Sequence, residues 1–128
     1  LEAGFEPVFD KVAVKPGKPV WLSHKESQIA LGLPGNPNSV FVCSHIFLSH
    51  LLGRRTRWDV RVLTDEISAN DARERYILAK WAADGRVTPI PKRTGSAVSM
   101  AQADLLIRRM PMADHLSVGD SVDCFCLS

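Results

Sequence analysis

Ile29-Ala30-Leu31-Gly32-Leu33-Pro34-Gly35-Asn36-Pro37-Asn38-Ser39 is the stretch that decides how this chain folds. Its first five residues are an apolar run of strand length, and they lead straight into Pro34-Gly35, a pair that favours a tight turn. Asn36 offers a side-chain oxygen that caps unpaired N–H groups, and Pro37 suits the first helical position, where its missing N–H costs nothing. A strand that passes through a short loop into a helix is the edge of an α/β layer.

Downstream of that turn, the helix body from Asn38 to Leu52 carries apolar residues around most of its circumference: Val40, Phe41, Val42, Cys43, Ile46, Phe47, Leu48, Leu51 and Leu52. That distribution predicts burial on more than one side. Gly53 is a C-cap. Upstream, Lys11-Val12-Ala13-Val14-Lys15 alternates at period two and reads as a strand that ends at the Pro16-Gly17 turn. Val20-Trp21-Leu22 is a second strand, separated from Ile29–Leu33 by the polar stretch Ser23 to Ser27. Three short strands and one helix cannot bury both faces of an α/β sheet. Residues 1–55 therefore read as the C-terminal end of a larger α/β domain.

Beyond the basic linker at Arg54, Arg55 and Arg57 the pattern changes to short β-like runs. They cover Val60 to Asp65, Tyr76 to Ala82, Val87 to Ile90, Leu105 to Met110 and Ser121 to Leu127. Asp84-Gly85 is a hairpin turn, and Gly95 to Ala103 is a segment of small residues. Five short strands separated by turn signals predict a small all-β, barrel-like C-terminal domain over residues 56–128.

A chain of 128 residues that is 45% hydrophobic and 23% charged has the composition of a globular protein and can bury a real core. The 16 basic against 14 acidic residues give a net charge of +2, too small and too scattered for a nucleic-acid partner. No run approaches the roughly 20 apolar residues of a bilayer crossing, and the first residues lack the pattern of a secretory leader, so no membrane and a cytoplasmic location are expected. Cys124 and Cys126, two apart in a strand, share a face and read as reduced core residues. His24, His45, His50 and His115 have no metal-ligand spacing, and Asp65, Glu66, Asp71, Asp120 and Asp123 read as solvated turn and edge groups. No metal is assigned to this chain.

Two signatures resemble the MoeA and gephyrin E-domain family: Lys11-Val12-Ala13-Val14-Lys15-Pro16-Gly17-Lys18-Pro19, then Gly32-Leu33-Pro34-Gly35-Asn36-Pro37-Asn38-Ser39. Later pieces agree in order, namely Gly95-Ser96, Ser99 to Asp104 and Leu116 to Val122. The resemblance implies molybdenum cofactor biosynthesis: molybdate insertion into molybdopterin from an adenylylated molybdopterin substrate, with AMP released, in a magnesium-dependent reaction of an elongated homodimer. It further implies that this chain holds the C-terminal part only, with the pterin and magnesium motifs upstream of it. A family member that serves as a non-catalytic scaffold, as gephyrin does, is the alternative. The chain departs from the family pattern at Leu78, where the family tends to have a second arginine after Arg73.

The residues themselves carry chemistry that fits. Lys11 and Lys15, about 13 Å apart along one strand face, can bracket an extended polyanion whose charge must be neutralised as an anhydride breaks. Solvated lysines that protect an edge strand are the plain alternative. The helix start at Pro34, Gly35, Asn36, Pro37 and Ser39 presents unpaired N–H groups to an anion, and it follows a strand end, where open α/β sheets collect ligands. Ser96 adds a hydroxyl from the second domain.

Overall fold

The computed structural model of the chain describes residues 6–9, 14–15, 21–32, 37–53, 58–91 and 96–127. A small antiparallel sheet of three strands has the order β1 (Glu6–Phe9), β3 (Trp21–Lys25), β4 (Gln28–Gly32). The polar stretch Ser23 to Ser27 is not a separator of strands, because β3 continues through Ser23, His24 and Lys25 to a two-residue turn. In that turn Glu26 adopts φ 54°, the left-handed conformation that primed hairpin turns require. Ser23 is buried within the ladder, where its main chain pairs with Ala30.

The helix begins at Pro37, as its sequence predicts, but it is not one uniform helix. α1 (Pro37–Cys43) passes into a π-helical turn (Ser44–Leu48) and then α2 (Ser49–Leu51). Gly53 closes the segment at φ 70°, and its N–H donates to the His50 carbonyl at 3.0 Å.

The second sheet has six strands. β2 (Val14–Lys15), β6 (Glu74–Trp81), β8 (Leu105–Arg109), β9 (Ser121–Cys126) and β5 (Trp58–Val62) follow one another, and β7 (Val87–Pro89) pairs with β6. The sheet curls into a half-barrel: Leu63 bridges Val87, with the Thr64 N–H donating to the Val87 carbonyl at 3.0 Å. The curl brings β5 round to β7. The turn between β6 and β7 is set by Gly85 at φ 83°. Where the sequence offers only a small-residue segment, Ser96–Gln102 forms a helix, α3, that packs on β6 and α1. Its helical state comes from that packing, since the residues carry no strong helical period of their own.

Two cores use opposite faces of this sheet. Inside the curl lie Leu63, Ile67, Ile77, Ala79, Val87, Leu105, Ile107, Val122 and Cys124. On the outer face Tyr76, Leu78, Leu106 and Phe125 meet Val42, with Phe41, Ile46 and Met100 packed against them. Cys43, Cys124 and Cys126 are not in disulfides; burial pushes the Cys43 thiol up to about 11 and the Cys124 thiol to about 12, so both are protonated at neutral pH. No helix among the described residues is long and apolar enough to cross a membrane.

Leu106 is fully buried between sheet and helices. Leu106→Ala should therefore cost about 2–5 kcal/mol in denaturant unfolding. Met112→Ala, at a position 70% exposed, should stay within about 0.5 kcal/mol of the parent.

Candidate functional site

Of the residues singled out for anion chemistry, Lys15 is placed most informatively. It ends the two-residue strand β2, which runs parallel to β6 with Val14 opposite Glu74 and Lys15 opposite Arg75. Pro37 opens α1, Ser39 is its third residue, and Ser96 opens α3. α1 and α3 touch, and α3 lies on β6, so these elements surround one strand. Lys11, Leu33, Pro34, Gly35 and Asn36 lie outside the described residues.

Arg73 and Leu78 are the positions where the resemblance implied arginines. Arg73 is half-buried; its guanidinium lies 3.6 Å from the Asp71 carboxylate, and its N–H donates to the same carboxylate at 2.9 Å. Behind it, the buried Asn70 amide donates to the Arg73 carbonyl at 2.7 Å and to the Arg109 and Met110 carbonyls at 3.2 and 2.9 Å. This clamp ties the start of β6 to the end of β8. Leu78 is buried in the outer core between Leu106, Ile90 and the helices. Among the described residues its neighbours are apolar, so this strand position contributes packing.

Electrostatics differ between the two faces of the sheet. On the outer face the Tyr76 hydroxyl donates to the Glu74 carboxylate at 2.6 Å, and burial together with that carboxylate pushes the phenol well above its ordinary range. Arg108 sits opposite Tyr76, pairs with Asp123 at 3.5 Å and stacks over Trp58 with 4.2 Å to the ring centroid. In that row Arg108 has a carboxylate partner, and Glu74 has the Tyr76 hydroxyl. On the inner face Arg75 stands directly opposite Arg109, which is only 5% exposed. The Arg109 guanidinium donates to the Asp114 carbonyl and to the Ser68 carbonyl. Burial, and then Arg75, lower its pKa.

Sequence reading missed the Arg75–Arg109 pair. The available signal was Arg108-Arg109 at the end of an apolar strand: two consecutive residues on a strand point to opposite faces, so one of them had to face inward. Among the described residues no three His, Cys, Asp or Glu side chains gather in a way that would hold a metal ion. A separate apolar groove of about 430 Å³ opens between Leu22, Leu31, Phe47, Leu51 and Trp58, with His50 at its side.

No family model matches the chain. Comparison with curated proteins finds likeness to the molybdopterin molybdenumtransferase of Synechococcus elongatus, 28% identical over 94% of this chain and 32% of that protein. The molybdenum cofactor synthesis protein cinnamon of Drosophila melanogaster is 39% identical over 38% of this chain and 8% of that protein. A molybdopterin molybdenumtransferase of Synechocystis is 50% identical over 27% of this chain and 9% of that protein. The chain thus spans about a third of the curated relatives' length or less. Among solved structures, the molybdopterin biosynthesis MoeA protein of Pyrococcus horikosii superposes with a TM-score of 0.84 at 23% identity, over 97% of this chain and 32% of that one. A molybdenum cofactor biosynthesis protein of Pyrococcus furiosus gives 0.78 at 21% identity, over 95% of this chain and 46% of that one.

Leu78→Arg tests whether the core at that position tolerates the residue the family tends to have. The variant should lose about 3 kcal/mol or more in thermal or denaturant unfolding, because a cation would be buried without a partner. A loss below about 0.5 kcal/mol would mean that the position is open to an ionic contact after all.

Proposed function

We propose that this chain, which has the fold of the MoeA proteins and sequence likeness to molybdopterin molybdenumtransferases, forms the C-terminal part of an enzyme of molybdenum cofactor biosynthesis. The observation that carries the reading is the likeness along 94% of the chain to a molybdopterin molybdenumtransferase, joined to a matching fold. In this reading the full-length protein inserts molybdate into adenylylated molybdopterin with release of AMP and works as a homodimer in the cytoplasm. The chain contributes one wall of the site and is inactive by itself, because it spans about a third of such a transferase.

The chemistry asked of this wall is electrostatic. As the anhydride breaks and the oxyanion is transferred, negative charge builds on the leaving phosphate. Fixed cations and N–H groups aimed at that charge lower the barrier without any covalent intermediate. Lys11 and Lys15 supply the cations, and Lys15 is held beside β6 by the parallel pairing of β2. The turn at Pro34, Gly35, Asn36, Pro37 and Ser39 supplies N–H groups and a hydroxyl, and Ser96 supplies another hydroxyl. No magnesium ligand is assigned to this chain, among whose described residues no three His, Cys, Asp or Glu side chains gather, so no step here passes through the ion.

A second reading, a non-catalytic module that docks a protein partner, is favoured by the apolar groove beside Trp58. Kinetics separate the two. In the full-length protein that contains these residues, Lys11→Ala and Lys15→Ala should each slow molybdenum insertion on the order of 10²-fold, or about 3 kcal/mol, with the fold intact. Lys→Arg should recover part of the rate, since Arg keeps the charge but presents a broad fork in place of a compact ammonium. Insertion at the parent rate by both alanine variants under limiting molybdate would refute the catalytic role.

A further inference from the structure

Arg75 and Arg109 face each other across β6 and β8 on the inner face of the sheet, in direct register. Residues so placed have Cβ atoms about 4.5–5.5 Å apart, and like charges in that relation repel. Arg109 is 5% exposed, and its Nε lies buried with no hydrogen-bond partner. Its other contacts are main-chain carbonyls, which satisfy N–H groups without cancelling a charge. Arg75 is half-buried and so remains reachable from solvent. Among the described residues no carboxylate forms an ion pair with either arginine; Asp114 acts on Arg109 through space without a salt bridge, and Asp71 pairs with Arg73. The outer face of the same strands differs, with Arg108 paired to Asp123 and Glu74 accepting from the Tyr76 hydroxyl.

Two arginines in direct register, one with a buried, unused N–H and neither in a salt bridge among the described residues, are arranged as an anion receptor is. We propose that the Arg75–Arg109 pair binds a tetrahedral oxyanion, held by the planar forks that suit two oxygens of such an ion at once. This site lies on the opposite face of β6 from Leu78, three residues along the strand, so it is a separate position and not a substitute for an arginine at 78. On the other side of β6 the main chain of Lys15 stands opposite Arg75. The inference rests on this geometry and requires neither Lys11 nor turnover.

The experiment is a titration of the 128-residue chain with sodium molybdate, phosphate and sulfate in separate arms, each at ionic strength matched with sodium chloride. Arginine Nε–H signals are followed by NMR. The Arg75 and Arg109 signals should shift and saturate with at least one of the three anions, and the ranking of the arms identifies the preferred one. Arg75→Gln, which relieves a repulsion and should fold, is expected to weaken binding at least tenfold; Arg75→Lys should recover part of it. Arg86→Gln, at an exposed turn position, is the control and should leave binding unchanged. The proposal is overturned if neither signal saturates in any arm, or if Arg75→Gln binds as the parent does. Because no step of this test reads insertion of molybdenum, its failure and the failure of the catalytic reading are distinguishable.

Discussion

Burial of β8 on both faces is the constraint from which the rest of the structure follows. Leu105, Leu106 and Ile107 are consecutive and all fully buried. Consecutive strand residues point to opposite sides, so a strand of this kind needs a cover above and a cover below. The cover below is the curl of its own sheet, closed where Leu63 meets Val87. The cover above is helical: Val42 of α1 and Met100 of α3 lie over Leu106 and Leu78. At roughly 25 cal/mol per Å² of apolar surface, neither face could be left to water without losing several large side chains from the core.

That constraint explains which parts of the fold were legible. A continuous apolar run such as Leu105-Leu106-Ile107 announces a two-sided strand, and Pro37, Gly53 and Gly85 announce a helix start, a helix end and a hairpin through local backbone chemistry. The half-barrel strands were accordingly readable to within a few residues. Pairing partners were not. Nothing local to Val14-Lys15 says that they add to β6 in parallel, since strand addition is decided by which edge is left open. α3 was equally hidden, because its small residues become helical only against β6 and α1. For the candidate site the sequence supplies residue types, from Lys15 to Ser96, and only pairing register puts Lys15 beside Arg75.

Several residues that carry the family likeness have structural work in this fold. The Asp104 carboxylate accepts the Trp81 N–H at 3.0 Å, while its main chain bonds Ala79 and Leu127 at 2.9 and 3.0 Å, fastening β6 to the end of β9. In the stretch Leu116 to Val122, Asp120 caps its own turn through the Ser117 N–H at 2.7 Å. Asp120 and Gly119 also exchange main-chain bonds with Leu63, where the half-barrel closes. A match in these segments therefore speaks for the barrel. The chemistry has to be argued from the lysines, the helix start and the arginines.

The two faces of β6 end in opposite electrostatic solutions. Outside, the hydroxyl of Tyr76 donates a hydrogen bond to Glu74, and Arg108 is held between Asp123 and the Trp58 ring, so these polar groups find partners within the chain. Inside, Arg75 and Arg109 repel each other, and Asp114 offsets only part of that repulsion on Arg109. A protein interior strengthens every such interaction, favourable or not, because the effective dielectric there is far below that of water. The inner pair is therefore the less stable arrangement of the two. A fold with leucines and isoleucines along the rest of that face, from Ile77 to Leu105, had an apolar alternative for both positions. Retaining two arginines where hydrocarbon would pack makes sense when an anion supplies the missing charge from outside the chain.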